Sequence, residues 1–379
     1  MLGSVMLWSS MAFVFYSYFG YPLILWVVIY FKSRDVKKGD VLPSVSFIIT
    51  AHNEEKRICE KIENTLRQDY PRDLFEIIVA SDASTDHTES IVESYRSANV
   101  RLVRSPERKG KEHAQKCAID TASGQIFVFS DVATVLEADG VRNIVRNFSD
   151  PTVGCVSSMD RIIDSDNRLS GEGAYVKYEM FLRKLESRFN TLVGLSGSFF
   201  AARREVCWPW ATDLQSDFNT LLNSVSRGLR GVLDVESIGY YRAIADEAKE
   251  YERKIRTVVR GIHVLTTHIY FLNPFLYGLF SWQLFSHKLC RWLVPFAMII
   301  AFIANLWLSQ YDVAYQALFL FQVLFYSISV IGLRLGRRLN SVILRMPAFF
   351  LLVNLSLLHA WYNFLVKREV IARWSPTVR

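Results

Sequence analysis

Apolar, β-branched residues recur in short runs along the first part of the chain, and each run ends on polar or acidic residues. Residues 44–50 (SVSFIIT) lead into Ala51, His52, Asn53, Glu54 and Glu55. Residues 75–80 (FEIIVA) lead into Ser81, Asp82, Ala83, Ser84, Thr85 and Asp86, and residues 125–130 (QIFVFS) end on Asp131. Runs of this kind, followed by helix-like segments, predict a parallel α/β sheet. The pattern gives strands at 44–50, 75–81, 100–104, 125–130 and 153–158, separated by helices at 54–68, 86–97, 111–122 and 139–148. Asp86 is placed as a helix N-cap, with Glu89 three residues on in capping-box position; ligand contact is the other role open to it. Asp82 lies one residue beyond its strand with no helix to cap directly, which favours a ligand role. Ligands of such sheets bind beyond the carboxyl ends of the strands, so the three loops are expected to converge on one crevice. An Asp-rich crevice suits a ribose, a base edge or a divalent cation carrying a diphosphate, and not a bare phosphate.

The pattern changes at both ends. Residues 5–31 run for 27 positions without a charge, and about 20 apolar residues cross a bilayer. A cleaved signal peptide needs a positive start, a shorter apolar region and a small-residue cleavage site, none of which is clear here. Lys32, Arg34, Lys37 and Lys38 follow directly, so the positive-inside rule places the next domain in the cytosol. Residues 292–309 and 313–333 read as a hairpin of two spans. Its turn, Gln310, Tyr311 and Asp312, lacks Lys and Arg and is expected outside, while Arg334, Arg337, Arg338 and Arg345 mark the return. Residues 347–366 are long enough to span, but crossing would put Lys367, Arg368 and Arg373 outside. A helix lying partly in the cytoplasmic interface is the expectation there. Residues 262–291 mix aromatics with His263, His268, His287, Lys288 and Arg291, which suits interfacial helices. The expected organisation is an anchor and basic linker at 1–40, a cytosolic α/β domain at 41–261, interfacial helices at 262–291, and membrane helices with a basic tail at 292–379. This describes a multi-pass protein of the cell (inner) membrane.

Composition narrows the picture. A chain of 379 residues accommodates one α/β domain of about 200 residues plus accessory parts. The net charge of +7 is concentrated at residues 32–38, 334–345 and 367–379. That placement reads as contact with anionic membrane lipids; no aromatic-basic module for nucleic acid is present. Cys59, Cys117, Cys155, Cys207 and Cys290 lack metal-type spacing and read as reduced, mostly buried thiols.

Six motifs, in order, then carry a resemblance: PSVSFIITAHNEE (43–55), IIVASDASTD (77–86), RKGKEHAQKCAIDTASG (108–124), FVFSDVAT (127–134), GLSGSFFAARR (194–204) and QSDFNTLLNSVSRGLRGV (215–232). Together they resemble an inverting glycosyltransferase of family 2 with the GT-A (Rossmann-like) fold, over about residues 43–261. The hydrophobic tail resembles the membrane-anchored branch related to cellulose, hyaluronan and poly-N-acetylglucosamine synthases.

The resemblance implies roles. Ala51, His52 and Glu54 fall where the family meets the nucleoside, Asp82 where it meets the base, and Lys111 where it approaches the nucleotide. Arg108 and Lys109 could serve a diphosphate as well, and a solvated basic turn is the plain alternative for Lys109. Asp131 falls on the first Asp of the DxD motif, with Ala133 in place of the second acidic or amide residue. It would hold Mg²⁺ or Mn²⁺ together with diphosphate oxygens and waters, and the departure bears on metal affinity and metal dependence. Inverting transfer needs one general base on the acceptor hydroxyl. Asp217 aligns with the family's base, Ser216 replaces its acidic partner, and Asp213 is the reserve; capping helix 218–227 is the other role open to Asp217. Gly194, Ser196 and Gly197 resemble the small-residue loop at the acceptor. Arg256 stands in the place of the QxxRW arginine and could pair with diphosphate oxygens; its tryptophan is missing, and an exposed charged helix is the alternative.

The implied activity is inverting transfer of a sugar from a nucleotide-sugar donor, expected to be a UDP-sugar, to a lipid-linked or glycan acceptor at the cytosolic face. The missing tryptophan and few membrane segments speak against a polymer-extruding channel. A processive polysaccharide synthase is one alternative. A degenerate scaffold is another: Ala133 and Ser216 count for it, while Asp82, Asp131 and Asp217 count against it.

Overall fold

The structure, a computed structural model, describes residues 1–163, 171–242, 247–335 and 342–367. Arg337, Arg338, Arg368 and Arg373, which enter the expected charge pattern, lie outside the described residues.

The apolar runs form strands β1 (Val45–Ala51), β2 (Phe75–Ser81), β3 (Val100–Arg104) and β4 (Ile126–Asp131), joined by β5 (Val135–Leu136), β6 (Val153–Ile163), β7 (Phe199–Arg203) and β8 (Arg230–Arg242). All eight form one sheet in the order β3-β2-β1-β4-β7-β6-β8-β5. The half built from β3, β2, β1 and β4 is parallel, as the sequence pattern predicts. The sheet as a whole is mixed, because β7 runs antiparallel to both β4 and β6. Its fully apolar Phe199, Phe200, Ala201 and Ala202 are buried on both faces and give no alternation to announce a strand. In register, Ala51 stands opposite Ser81, and Thr50 opposite Asp131. The first strand is therefore flanked by the second and fourth at a point where the winding reverses, which is where such sheets leave a crevice.

The helices are α1 (Leu2–Phe15), α2 (Tyr21–Phe31), α3 (Ile58–Leu66), α4 (Thr88–Ser94), α5 (Lys111–Ile119), α6 (Gly140–Val145) and α7 (Gly171–Phe189). Beyond them lie α8 (Ser216–Ser226), α9 (Glu247–Thr267), α10 (Pro274–Tyr277), α11 (Leu279–Leu284), α12 (Arg291–Leu308), α13 (Val313–Leu335) and α14 (Val342–Tyr362). Successive strand residues point to opposite faces and build two cores. Phe47, Ile49, Ile77 and Val79 pack with Ile58 and Ile62 of α3 and Val92 of α4. Ile48, Ile78, Phe127 and Phe129 pack with Ala114 and Ala118 of α5 and Phe218 and Leu221 of α8. Cys155, Cys207 and Cys290 are buried and Cys59 is exposed.

Asp86 takes a different place from the one expected. The N-cap of α4 is His87, and Asp86 accepts from the Thr88 N–H (3.0 Å) and, through its other oxygen, from the Glu55 N–H (3.1 Å). Glu89 bonds to Ser81 Oγ at 2.7 Å instead of closing a capping box. The carboxylate thus ties the loop after β1 to the start of α4.

Four helical runs are long and apolar enough to cross a membrane: Leu2–Phe31, Leu279–Leu308, Val313–Leu335 and Arg345–Lys367. The second is continuous, so the change at residue 292 expected from the sequence falls inside one helical run. Leu320, Phe321 and Leu324 of α13 are exposed, leaving an apolar surface for lipid. The membrane runs are fastened to α7 by polar contacts. Tyr21 donates to Glu186 Oε1 (2.7 Å), His287 meets both Glu186 (2.7 Å) and Glu179 (3.3 Å), and Arg291 pairs with Glu179 at 2.6 Å. The linker after α2 packs on the domain too: Lys38 pairs with Asp234 (3.2 Å) and Glu236 (2.9 Å), so this lysine serves protein carboxylates and not lipid headgroups.

Candidate active site

The loops after β1 and β2 interlock at the crevice. Asn53 and Ala83 both adopt left-handed backbone conformations, with φ of 53° and 49°. Non-glycine residues occupy this region at a cost and concentrate at functional loops. The Asn53 N–H donates to Ser84 Oγ (3.1 Å), and Asn53 Oδ1 accepts from the Thr85 N–H (2.8 Å). His52 is buried with Nδ1 2.8 Å from the Asp82 carbonyl. Glu54 is buried and gripped by Arg57 through two bonds of 2.9 Å; burial raises its pKa despite that arginine.

Asp82 is fully buried, and its carboxylate accepts from the backbone N–H groups of Lys109 and Gly110, each at 3.0 Å. It therefore sets the turn that precedes α5. Gly110 sits at φ 104°, a conformation glycine alone adopts without strain. That turn aims the next side chain, Lys111, across the crevice. Lys111 Nζ lies 2.5 Å from Asp131 Oδ1 and 3.1 Å from the Gly197 carbonyl. The Asp131 N–H donates to the Ser198 carbonyl at 3.0 Å, joining the end of β4 to the loop before β7. On the far side of that loop, a Cβ added to Gly197 would lie 3.3 Å from Asp217 Oδ2. Lys111, Asp131, Gly197 and Asp217 thus form one contiguous strip.

Asp217 lies in the first turn of α8, whose N-cap is Gln215, so the capping role open to it is not the one it takes. Gln215 Nε2 donates to its carboxylate at 3.2 Å. Ser216 is buried and Asp213 is exposed. Ser196 donates to Asp160 Oδ1 at 2.6 Å, and Ser198 to the same oxygen at 2.9 Å, which holds the small-residue loop from behind. Gly194 faces Lys288: a Cβ there would lie 3.4 Å from its Nζ.

Several residues at the site escape the sequence reading. Lys61 on α3 is buried, donating to Ser130 Oγ and to the Thr134 carbonyl, both at 2.7 Å. Burial pushes its pKa down to about 7, against the pull of Asp131. Its signal is a lysine on the face of α3 shared by Ile58, Ile62 and Thr65. Arg260 of α9 pairs with Glu112, the neighbour of Lys111, while Arg256 lies one turn earlier beside Arg253 and Arg260. The Trp210 N–H donates to the Glu112 carbonyl at 3.0 Å. Arg260 is thus fastened to the first turn of α5.

The fold, a mixed sheet with a crevice where its winding reverses, is that of a GT-A glycosyltransferase. Residues 46–210 match the family model described as Glycosyl transferase family 2. It is 28% identical over 218 residues to a poly-beta-1,6-N-acetyl-D-glucosamine synthase of Staphylococcus aureus (strain COL), covering 51% of this chain and 52% of that protein. The synthase of Staphylococcus epidermidis is 24% identical over 178 residues, covering 45% of this chain and 42% of the relative. The chain thus spans about half the length of the curated relatives it matches. The solved mannosyltransferase PcManGT from Pyrobaculum calidifontis, in complex with GDP-Man and Mn²⁺, superposes with a TM-score of 0.74 at 24% identity. That match covers 97% of this chain and 100% of that one, so the fold is shared through the membrane helices as well.

Proposed function

We propose that this protein transfers a sugar, with inversion, from a nucleotide-sugar donor to the hydroxyl of a lipid-linked acceptor at the cytosolic face of the cell membrane. The observation that carries this reading is the strip of Lys111, Asp131, Gly197 and Asp217, which sets a cation and a carboxylate for the diphosphate beside a second carboxylate for the acceptor. The turn held by Asp82 and the loop of His52 and Glu54 form the nucleoside wall. Asp217 takes the proton from the acceptor hydroxyl as that oxygen attacks the anomeric carbon, and the nucleoside diphosphate leaves from the opposite face. Lys111 steadies the leaving charge.

The fit of a divalent cation rests on Asp131, whose side chain is 33% exposed at the mouth of the crevice. No cluster of three or more His, Cys, Asp or Glu side chains suited to a metal occurs among the described residues. The protein would thus offer one carboxylate, with diphosphate oxygens and waters completing the shell, which suits Mg²⁺ or Mn²⁺. Such an ion would supply charge neutralisation on the diphosphate.

The test is transfer from radiolabelled UDP- and GDP-sugars by detergent-solubilised protein, with and without Mn²⁺. Transfer that depends on the cation and is lost in Asp131→Ala is expected. Full activity in EDTA or in that variant would remove the metal-dependent mechanism; no transfer from any donor would favour a scaffold. The similarity to polymer synthases makes product length the second readout. A single added sugar is expected, and a long ladder would move the reading to a processive synthase.

A further inference from the structure

The loop that ends at the Asp217 base begins beside two cations that the transfer reaction does not use. Lys288 belongs to the apolar run Leu279–Leu308, and its ammonium lies over the backbone of Gly194. It also stands 5.4 Å from the ring centroid of Phe218, the residue after Asp217. Arg183 of α7 reaches the same loop through Ser157. Its Nη1 lies 3.4 Å from Ser157 Oγ, which in turn accepts from the Ser196 N–H at 2.8 Å. Lys288 lies within electrostatic reach of Arg183, Glu179, Asp217 and Glu186.

Neither cation is neutralised at contact distance. Among the described residues, no carboxylate lies within salt-bridge range of Lys288 or Arg183. Of the acids within that reach, Glu179 is engaged by Arg291 (2.6 Å) and His287 (3.3 Å) and Glu186 by His287 and Tyr21 (2.7 Å each), while Asp217 bonds to the Gln215 amide and is not at contact distance of either cation. Two like charges converging in a half-buried place repel one another unless an anion sits between them. Gly194, under Lys288, and Gly197, against Asp217, are three residues apart, which limits their separation to about 11 Å. One acceptor molecule could therefore reach both. About 10 Å further along the same helical run, Pro295, Ile299 and Phe302 line an apolar groove with Tyr326, Leu351 and Leu355.

We infer that Lys288 and Arg183 bind a phosphate carried by the lipid acceptor, holding its sugar hydroxyl at Asp217 while its hydrocarbon chain lies in the groove beside α12. This rests on the reading of Asp217 as the base at the acceptor site. It adds an acceptor class, a phosphate-linked lipid sugar, and two specificity residues.

The test measures binding of two tritiated probes to the detergent-solubilised full chain without donor: a polyprenyl-phosphate-linked sugar and the phosphate-free polyprenyl glycoside of the same sugar. Wild type is expected to prefer the first by about 10-fold or more, the scale of a hydrogen bond to a charged group. Lys288→Gln and Arg183→Gln should each remove most of that preference, and Lys288→Arg should keep it. Unchanged nucleotide binding in the Gln variants shows that they are folded. Equal binding of both lipids by wild type, or equal loss of both in Lys288→Gln, overturns the inference. Displacement of the phosphorylated lipid by an equal concentration of inorganic phosphate would assign the site to a free anion and overturn the lipid-borne source. The outcomes separate from catalysis. A phosphate preference without sugar transfer would sink the transferase reading alone, whereas transfer to the phosphate-free glycoside at an equal rate would sink this one alone.

Discussion

At the scale of single residues, the proposed roles turn on position relative to the Gly194–Ser198 loop. Asp217→Asn keeps the size and the bond from Gln215 but cannot accept a proton. Because Gln215, and not Asp217, is the N-cap of α8, the substitution removes no cap and stability should hold. Turnover should fall by about 10²-fold or more, the scale of general-base catalysis, with nucleotide affinity unchanged. Normal turnover would transfer the role to Asp213. Gly197→Ala probes the same geometry from the opposite wall. Its new Cβ would sit 3.3 Å from Asp217 Oδ2, tight enough to displace the carboxylate. Turnover should drop by about 10-fold, read as kcat under saturating donor. The sequence pattern marks out Asp82 and Asp131, each at the end of an apolar run, and the family resemblance adds Lys111 and Asp217 as candidates. Neither reveals Lys61 or Arg260, because a lysine on a helix face and one arginine in a charged helix look like solvated surface until the partner strand is in place.

At the scale of elements, the polar knot that holds the linker after α2 to the catalytic domain is the clearest structural commitment. Asp150 and Arg230 are both buried and meet at 3.2 Å, while Arg230 also donates to the Arg34 carbonyl at 2.8 Å. Asp150→Ala leaves that guanidinium buried without its carboxylate, so a loss of about 3 kcal/mol is expected in chemical or thermal unfolding. Burial raises the Asp150 pKa. Hydrogen bonds from Thr152, the Lys37 N–H and Arg230 outweigh it and hold the pKa at about 2. A folded pKa below the unfolded one means the stabilisation is complete above about pH 4 and lost as pH falls towards 2. Wild type should therefore lose stability through that window, and Asp150→Ala should show a flatter acid limb there. Parallel strands β1 to β4 were legible from their apolar runs. The linker's docking was not, since Lys38 reads as a lipid-facing charge until Asp234 and Glu236 are brought beneath it.

At the scale of the whole molecule, four helical runs are long and apolar enough to cross the bilayer, and the charges that flank them set which do. Arg345–Lys367 is about 35 Å long at 1.5 Å per residue, enough to cross a core of about 30 Å. Its flanking charges argue for another orientation. Phe350 packs on Tyr18 (ring centroids 5.3 Å apart), and Arg291 stands over that same tyrosine. Trp361 donates to the carbonyl of Trp292, the residue after Arg291, at 3.0 Å. Phe350 also meets Phe325 of α13 (ring centroids 6.1 Å apart), and Leu351 and Leu355 line the groove with Ile299 and Phe302, so α14 lies against α12 and α13 as well. Leu357 joins the core shared with α5 and α8. Crossing would carry the basic end of this helical run outside, against the positive-inside rule; a helix lying along the cytoplasmic interface keeps it inside. Reporters test this directly. A fusion after Lys38 should read cytosolic, one within residues 310–312 external, and one after Arg379 cytosolic. An external reading after Arg379 would mean that α14 crosses, and an external reading after Lys38 would put the crevice out of reach of cytosolic nucleotide sugars.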